Sequence, residues 1–342
     1  MSTVEGLDTT ALRTWLDDAA PGLLSGDLDA SLITGGKSNL TYVVTDGTSE
    51  VVVRRPPLGH VLATAHDMGR EYRAMAALAG TDVPVPTMHA HCEDDSVIGA
   101  PFYVMERVLG TPYKRASELE ALGAERTRAI ADRLVDTLAA LHAVDHVAVG
   151  LAEHGRPDGY LERQVRRWTK QLEGSRSRDL DGIDELSARL AGAVPTATEA
   201  TIVHGDYRLD NALVDDHDQL TAVLDWEMST LGDPLTDVAL MISYQEMAIS
   251  SSASGGTASV TDAPLAAGYP SPEEVLERYA TVSGRDLGDI GWHMGLAYFK
   301  LAVILEGIYY RFSQGQTLGE GFAEIGDGVP ALVQAGLAAT DR

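Results

Sequence analysis

Residues 204–211 read HGDYRLDN, and the apolar run AVLDWE follows at 222–227. An Asp separated by four residues from an Asn, then a second Asp closing an apolar run, places three oxygen donors in one pattern. That pattern suits work on nucleotide phosphates: the first Asp orients a hydroxyl and accepts its proton, while the Asn and the second Asp hold Mg²⁺. The candidates are Asp206, Asn211 and Asp225, the last lying fourteen residues beyond Asn211. Taken singly, HGD and LDW are also turn residues, because Gly, Asp and Asn favour turns for local reasons. The joint spacing outweighs that reading.

The elements that must carry these side chains follow from the pattern around them. A hairpin is predicted: Ile202 and Val203 enter as a short strand, 204–210 form a loop, and 212–214 leave as a second strand. After a turn at 215–218, the run 220–224 returns and delivers Asp225 beside Asn211. Next, GDPLTDVA at 232–239 reads as a turn, a helix-start Pro234 and a capping carboxylate, Asp237. His204 reads as a loop-fixing hydrogen-bonder. Further upstream, apolar spacing predicts a helix over 9–24 and strands over 28–34 and 40–45, with the turn GGKSN at 35–39 between the strands. Gly35, Gly36 and Ser38 are candidates for cradling phosphate, since Gly lacks the Cβ that would keep backbone N–H groups away; an ordinary hairpin turn has the same composition. Val51 to Arg55 is a strand ending in two cations and stopped by Pro56-Pro57. A buried strand runs from 101 to 108.

From about residue 115 the pattern turns helical. Ile130, Leu134, Leu138 and Leu141 recur at helical spacing, and a second helix over 158–173 sets Leu161, Val165, Trp168 and Leu172 against Arg163, Arg166 and Arg167. Those arginines are either a solvated face or a place to meet an anion. Residues 249–271 are rich in Ser, Gly and Ala and read as a lid or a disordered insertion, with helices following at 272–282 and 289–313.

Composition excludes several classes. At 342 residues, with 44% hydrophobic content, the chain exceeds one compact core and is expected to split in two. Twenty-six basic against 51 acidic residues give a net charge of −25, which disfavours nucleic acid as a partner, because binding its phosphates needs a basic face. Neither a signal peptide nor a membrane span is expected: the start is acidic, and the apolar stretch 295–310 is interrupted by Lys300 and Glu306. A lone cysteine, Cys92, has no disulfide partner in the chain; it reads as a packing residue and favours a reducing cytoplasm. The sequence leaves the oligomeric state open.

Together, HGDYRLDN, AVLDWE and GDPLTDVA resemble the aminoglycoside phosphotransferase and choline kinase-like superfamily, whose signature is H-x-D-x-x-x-x-N followed by an Asp-aromatic pair. Within it the chain is most similar to the bacterial and acyl-CoA-dehydrogenase-associated branch, which carries HGDYRL-x-N and DWE-x-x-x-x-GDP-x-x-D. The resemblance implies an α+β, two-lobed protein-kinase-like fold. Residues 1–110 would form the small antiparallel-sheet N-lobe, and 111–342 a mainly helical C-lobe with the catalytic loop and acceptor pocket. It puts Arg54 where such folds carry a phosphate-contacting Lys, with Arg55 as the alternative, and makes Glu71 its helix partner. Arg keeps the charge and the donors, so this departure is compatible with function. Backbone groups from Glu106 to Val108 would meet the adenine edge. Glu227 would hold a second Mg²⁺ or cap local backbone.

The implied activity is ATP-dependent transfer of the γ-phosphoryl group to a hydroxyl of a small molecule, with Asp206 as the catalytic residue and ATP and Mg²⁺ as co-substrate and cofactor. A protein acceptor is not expected, since HGD replaces H-R-D and no A-P-E follows. The branch and the arginines at 163, 166 and 167 favour a hydroxyacyl-CoA. An aminoglycoside or choline-like alcohol is the alternative, and a non-catalytic nucleotide-binding scaffold is the alternative of another class.

Overall fold

Apolar residues alternating with a period of two build the first half of the molecule, and apolar stripes at helical spacing build the rest. The computed structural model describes residues 4–33, 39–58, 67–196, 199–253, 261–288, 290–316 and 325–341. In chain order the elements are α1 (Thr9–Ala19), β1 (Asp29–Leu32), β2 (Leu40–Thr45), β3 (Glu50–Arg55), α2 (Met68–Leu78), β4 (Met88–Cys92), β5 (Phe102–Glu106), α3 (Ala116–Glu120), α4 (Ala124–Ala143), α5 (Tyr160–Ser175), α6 (Ile183–Gly192), β6 (Thr201–Val203), β7 (Ala212–Val214), β8 (Leu220–Val223), β9 (Thr230–Gly232), α7 (Leu235–Ala253), α8 (Pro272–Ser283), α9 (Ile290–Ser313) and α10 (Val329–Thr340). The chain divides into two units. One comprises Met1–Thr111, Val147–His154 and Ala212–Ser229, and the other Pro112–His146, Gly155–Asn211 and Thr230–Arg342.

The first unit is a five-stranded antiparallel sheet in the order β1-β2-β3-β5-β4, with α1, α2 and the β7–β8 ladder. Side chains alternate across it. Tyr42, Val44, Val51, Val53, Phe102 and Val104 share one core with Leu12 and Leu16 of α1. Arg55 follows the same alternation onto that side, where its NH1 donates to the carbonyls of Gly6 and Ile98. Arg54 falls on the other face, opposite Tyr103 of β5. The period of the strand thus sends the two arginines to opposite faces. Helix α1 ends at Ala19 rather than near 24, because Pro21 cannot donate an N–H and Gly22 takes a left-handed φ of 81°.

In the second unit, α4 buries Ile130, Leu134, Leu138 and Leu141, as their spacing requires, and α9 packs against α5, α6, α7 and α10. The predicted hairpin over the HGD loop does not form. Strand β6 pairs with β9, Ile202 opposite Leu231, while β7 pairs with β8. The 3₁₀ turn at Leu209–Asn211 redirects the chain, so the strands on either side of the loop end in separate ladders. Helix α7 runs to Ala253, into the run expected to be a loop, because Ile242, Gln245 and Ala248 continue its buried face. Residues 261–271 are also tied down: Thr261 donates to the Lys114 carbonyl, and Gln245 to that of Pro270. A lid over 254–260 lies outside the described residues. Among the described residues no helix is long and apolar enough to cross a membrane.

Candidate active site

In the first unit, the face of the sheet that carries Arg54 holds a dense set of charges. Helix α2 starts at the Asp67 cap, and its first turn puts Glu71 beneath the sheet with no exposure to solvent. Arg54 Nε lies 3.3 Å from Glu71 Oε2, and its NH2 donates to Asp225 Oδ1 at 2.6 Å. Tyr103 donates to Glu71 Oε2 at 3.0 Å. The Asn39 amide donates to Glu71 Oε1 at 3.2 Å and to Glu227 Oε2 at 3.3 Å. A chain of contacts therefore runs from Glu227 through Asn39, Glu71 and Arg54 to Asp225. Of the sequence candidates, Arg54, Glu71, Asp225 and Glu227 are brought together here. Gly35, Gly36 and Ser38 lie outside the described residues.

Two carboxylates, Glu71 and Asp225, share the Arg54 guanidinium with Glu227 nearby, and the electrostatics follow. Burial pushes Glu71 up to about 7; Arg54 opposes this, while Asp225 and Glu227 add to it. Burial also works against the Arg54 charge, yet Tyr103, Glu71 and Asp225 together raise its pKa further above the ordinary value. Asp225 itself has a left-handed φ of 65°, a conformation that non-glycine residues adopt uncommonly and Asp tolerates better than most. At the end of β5, Glu106 accepts from the N–H and hydroxyl of Thr87, and Val108 follows two residues later. The Glu106 carboxylate is thus spent on fixing a neighbouring loop.

In the second unit, the loop after β6 has nearly all its backbone polar groups engaged. Gly205 takes a φ of 84°, which suits a residue without a Cβ. Asp237 Oδ2 accepts from His204 N at 2.6 Å, and its Oδ1 from Gly205 N at 2.7 Å. Asp206 N donates to His204 Nδ1 at 3.3 Å, the Gly205 carbonyl accepts from Lys300 Nζ at 2.8 Å, and the Asp206 carbonyl accepts from Asn211 Nδ2 at 2.9 Å. The Asp206 carboxylate accepts from Asn211 Nδ2 at 3.1 Å and Tyr244 Oη at 3.3 Å, with Arg208 NH2 at 3.3 Å. This carboxylate is 27% exposed.

Asp237 is therefore not the helix cap. Asp233 fills that place, accepting from Leu235 N at 2.9 Å, and Asp237, fully buried in the first turn of α7, braces the HGD loop. Burial alone would raise the Asp237 pKa, but His142, His204 and the Gly205 N–H hold it below the ordinary value. His142 is itself bracketed, with Nε2 3.3 Å from Asp237 Oδ2 and Nδ1 2.7 Å from Tyr279 Oη. Tyr244, Arg208 and Lys300 were not singled out from the sequence as partners of the loop. One signal was available: Tyr244 follows Asp237 by seven residues, two helical turns on the same face. Of the three arginines on α5, Arg163 is bound to the carbonyls of Asp158 and Arg156 at its own helix start, and Arg167 lies over the Trp168 ring.

A groove of about 990 Å³ opens among α6 to α10, lined in part by Ile242, Glu246, Trp292, Met294 and Tyr298. Ile242 and Glu246 each stand two residues from Tyr244 on α7, so the groove lies on the side of that helix facing away from Asp206.

With this geometry in place, comparison with known proteins is informative. The chain matches the model of the phosphotransferase enzyme family over residues 29–273. Acyl-CoA dehydrogenase family member 10 of Mus musculus is 36% identical over 294 residues, covering 85% of this chain and 27% of that protein. The chain spans less than half the length of the curated relatives it matches. A crystal structure from Ralstonia eutropha, described as an aminoglycoside phosphotransferase, aligns with a TM-score of 0.84 at 34% identity, covering 98% of both chains. An aminoglycoside phosphotransferase in ternary complex with AMP-PNP and hygromycin B shares the fold, with a TM-score of 0.59 at 16% identity over 97% of this chain and 98% of that one. The fold is the α+β, two-lobed protein-kinase-like fold, with an antiparallel sheet in one unit and helices in the other.

Proposed function

Because the chain belongs to the phosphotransferase enzyme family, we propose that it moves the γ-phosphoryl group of ATP to a hydroxyl on a small anionic molecule, of which a hydroxyacyl-CoA is the leading case. The observation that carries this is the Asp206 carboxylate, held through Asn211, Tyr244 and Arg208 on a loop whose backbone is fixed by Asp237 and Lys300. Positioning and charge neutralisation are what phosphoryl transfer asks of a protein, since the reaction needs little covalent help.

In the proposed reaction the acceptor O–H donates its hydrogen bond to Asp206. The hydroxyl oxygen forms a bond to the γ-phosphorus as the bond to the β–γ bridging oxygen breaks. The hydroxyl proton passes to Asp206, and ADP leaves with the electron pair of the broken bond. Arg54, anchored by Glu71, would steady the phosphates that do not react. To do so it gives up its ion pair with Asp225, which frees that carboxylate for a cation.

Asn211, Asp225 and Glu227 are the residues proposed to hold Mg²⁺. Among the described residues, no group of three or more His, Cys, Asp and Glu side chains could hold a metal ion by itself. Two carboxylates and an amide fit the ion nonetheless, because Mg²⁺ takes one or two carboxylates and completes its shell with water and substrate phosphates. When bound, it would neutralise charge developing on the transferring group. Residues Glu106 to Val108 would offer backbone groups to the adenine.

For the acceptor, Arg208 beside Asp206 favours an anion over a polycation. The names of the acyl-CoA dehydrogenase relatives point to the same chemistry. The structural neighbours support the competing case of an aminoglycoside. An acceptor screen with γ-labelled ATP, comparing hydroxyacyl-CoAs, aminoglycosides and choline-like alcohols, separates them. Label on a hydroxyacyl-CoA supports the reading, and label on an aminoglycoside alone replaces it.

A further inference from the structure

We infer that Lys300 is a positioning residue of the transfer reaction, pinning the peptide that carries Asp206; the inference rests on the reading of Asp206 as the group that meets the acceptor hydroxyl. Lys300 lies in the middle of α9, among Tyr298, Phe299, Leu301, Ala302 and Val303, all buried. A lysine in such a stretch has to find partners for its ammonium or extend it to water. Nζ donates to the Gly205 carbonyl at 2.8 Å and lies 5.7 Å from the centre of the Trp168 ring, within cation–π range. Loss of hydration pushes its pKa below the ordinary value, against the pull of Asp206 and Asp237. A cavity of about 30 Å³, room for roughly one water, adjoins Lys300, Gly205, Asp237 and Trp168.

The choice of carbonyl is what makes the contact more than filling. Gly205 has no side chain to restrain the peptide that follows it, and rotation of that peptide swings the Asp206 side chain. Asp237 fixes the N–H groups of His204 and Gly205. Lys300 supplies the strong donor on the far side of Gly205, where the N–H of Asp206 has only a long bond to His204 Nδ1. A charged donor is roughly twice as strong as a neutral one.

The test is Lys300→Met, compared with the parent, Lys300→Arg and Asp206→Asn. Three quantities are measured: steady-state hydrolysis of Mg·ATP together with transfer to hydroxyacyl-CoAs, the thermal midpoint, and hydrogen–deuterium exchange of the amides of 204–211. K300M is expected to lower kcat by about 10- to 100-fold, since a misplacement of about 1 Å can cost that much, while KM for ATP stays within about threefold. Its midpoint should change little, because removing a desolvated ammonium offsets the loss of the donor to the Gly205 carbonyl. The loop amides should exchange faster, and K300R should recover most of the rate. A lower midpoint with parental kcat in K300M, alongside an inactive D206N, overturns the inference. Should D206N turn over like the parent, the assignment of Asp206 has failed instead, and unchanged exchange protection in K300M then sinks the Lys300 role separately. If K300M does not fold, Lys300→Gln, shorter and uncharged, carries the same expectations.

Discussion

In the loop at 204–206, three N–H groups and two carbonyls have partners within the second unit, and the one fully buried acid beside it, Asp237, is held below its ordinary pKa by the donors it collects. Around Glu71 in the first unit the same residue types give the opposite result: two carboxylates share Arg54, and burial pushes Glu71 up to about 7. The difference lies in the supply of donors. His142 and His204, with backbone N–H groups at a tight turn, satisfy the buried Asp237 carboxylate locally. A set of acids gathered on a sheet face has one long side chain to divide and stays short of positive charge, so it stands to gain from an added cation.

The largest expected effect falls on the fixed loop. Asp206→Asn should cut phosphoryl transfer by about 10³-fold, in the range of general-base losses, with Mg·ATP binding kept; calorimetry and a turnover assay check both, and a parental rate removes Asp206 from the chemistry. Next, Asp237→Ala leaves two buried N–H groups and His142 without their acceptor. It should cost about 3 kcal/mol or more, visible as a drop of several degrees in the thermal midpoint; a stable, active variant would mean the brace is dispensable.

A smaller effect, specific to the first unit, concerns pH. The Glu71 pKa near 7 lies above the carboxylate norm, so the folded chain holds this proton more tightly than the unfolded one. The stability it contributes is complete below the norm and lost as pH rises through about 7. The midpoint of the parent relative to Glu71→Gln should therefore fall between about pH 5 and pH 8, and a flat difference across that range contradicts the shortage of positive charge. Last, Asp233→Ala removes the cap of α7 and should cost about 1 kcal/mol, read by chemical denaturation, with turnover nearly unchanged because Asp237 keeps the loop in place.

Individual helices and strands and the acid and amide candidates were legible because they depend on local spacing: helical stripes such as Ile130 to Leu141, alternation in β3, and the Asp206-to-Asn211 interval; the two-lobed fold class came instead from the family that those motifs resemble. Alternation also held the answer to which arginine faces Glu71, once Val51 and Val53 are taken as core. What escaped was non-local. Nothing near Ile202 announces that its ladder partner is Leu231, because strand pairing is set by the whole chain. Asp237 sits where helix caps sit, and only its distance to His204 and Gly205 reveals another task. Lys300 looks like a stray charge in an apolar helix until the Gly205 carbonyl is found opposite it.

The backbone twist at Asp225 offers a way to weigh conformation and charge apart. Asn keeps much of the preference for such a twist, Gly adopts it freely, and Ala resists it by about 1–2 kcal/mol. Weakened nucleotide affinity in an Asn replacement would thus gauge the lost carboxylate charge with little backbone penalty. The gap between Gly and Ala replacements would gauge how much geometry the neighbouring Trp226 and Glu227 draw from a single unusual dihedral.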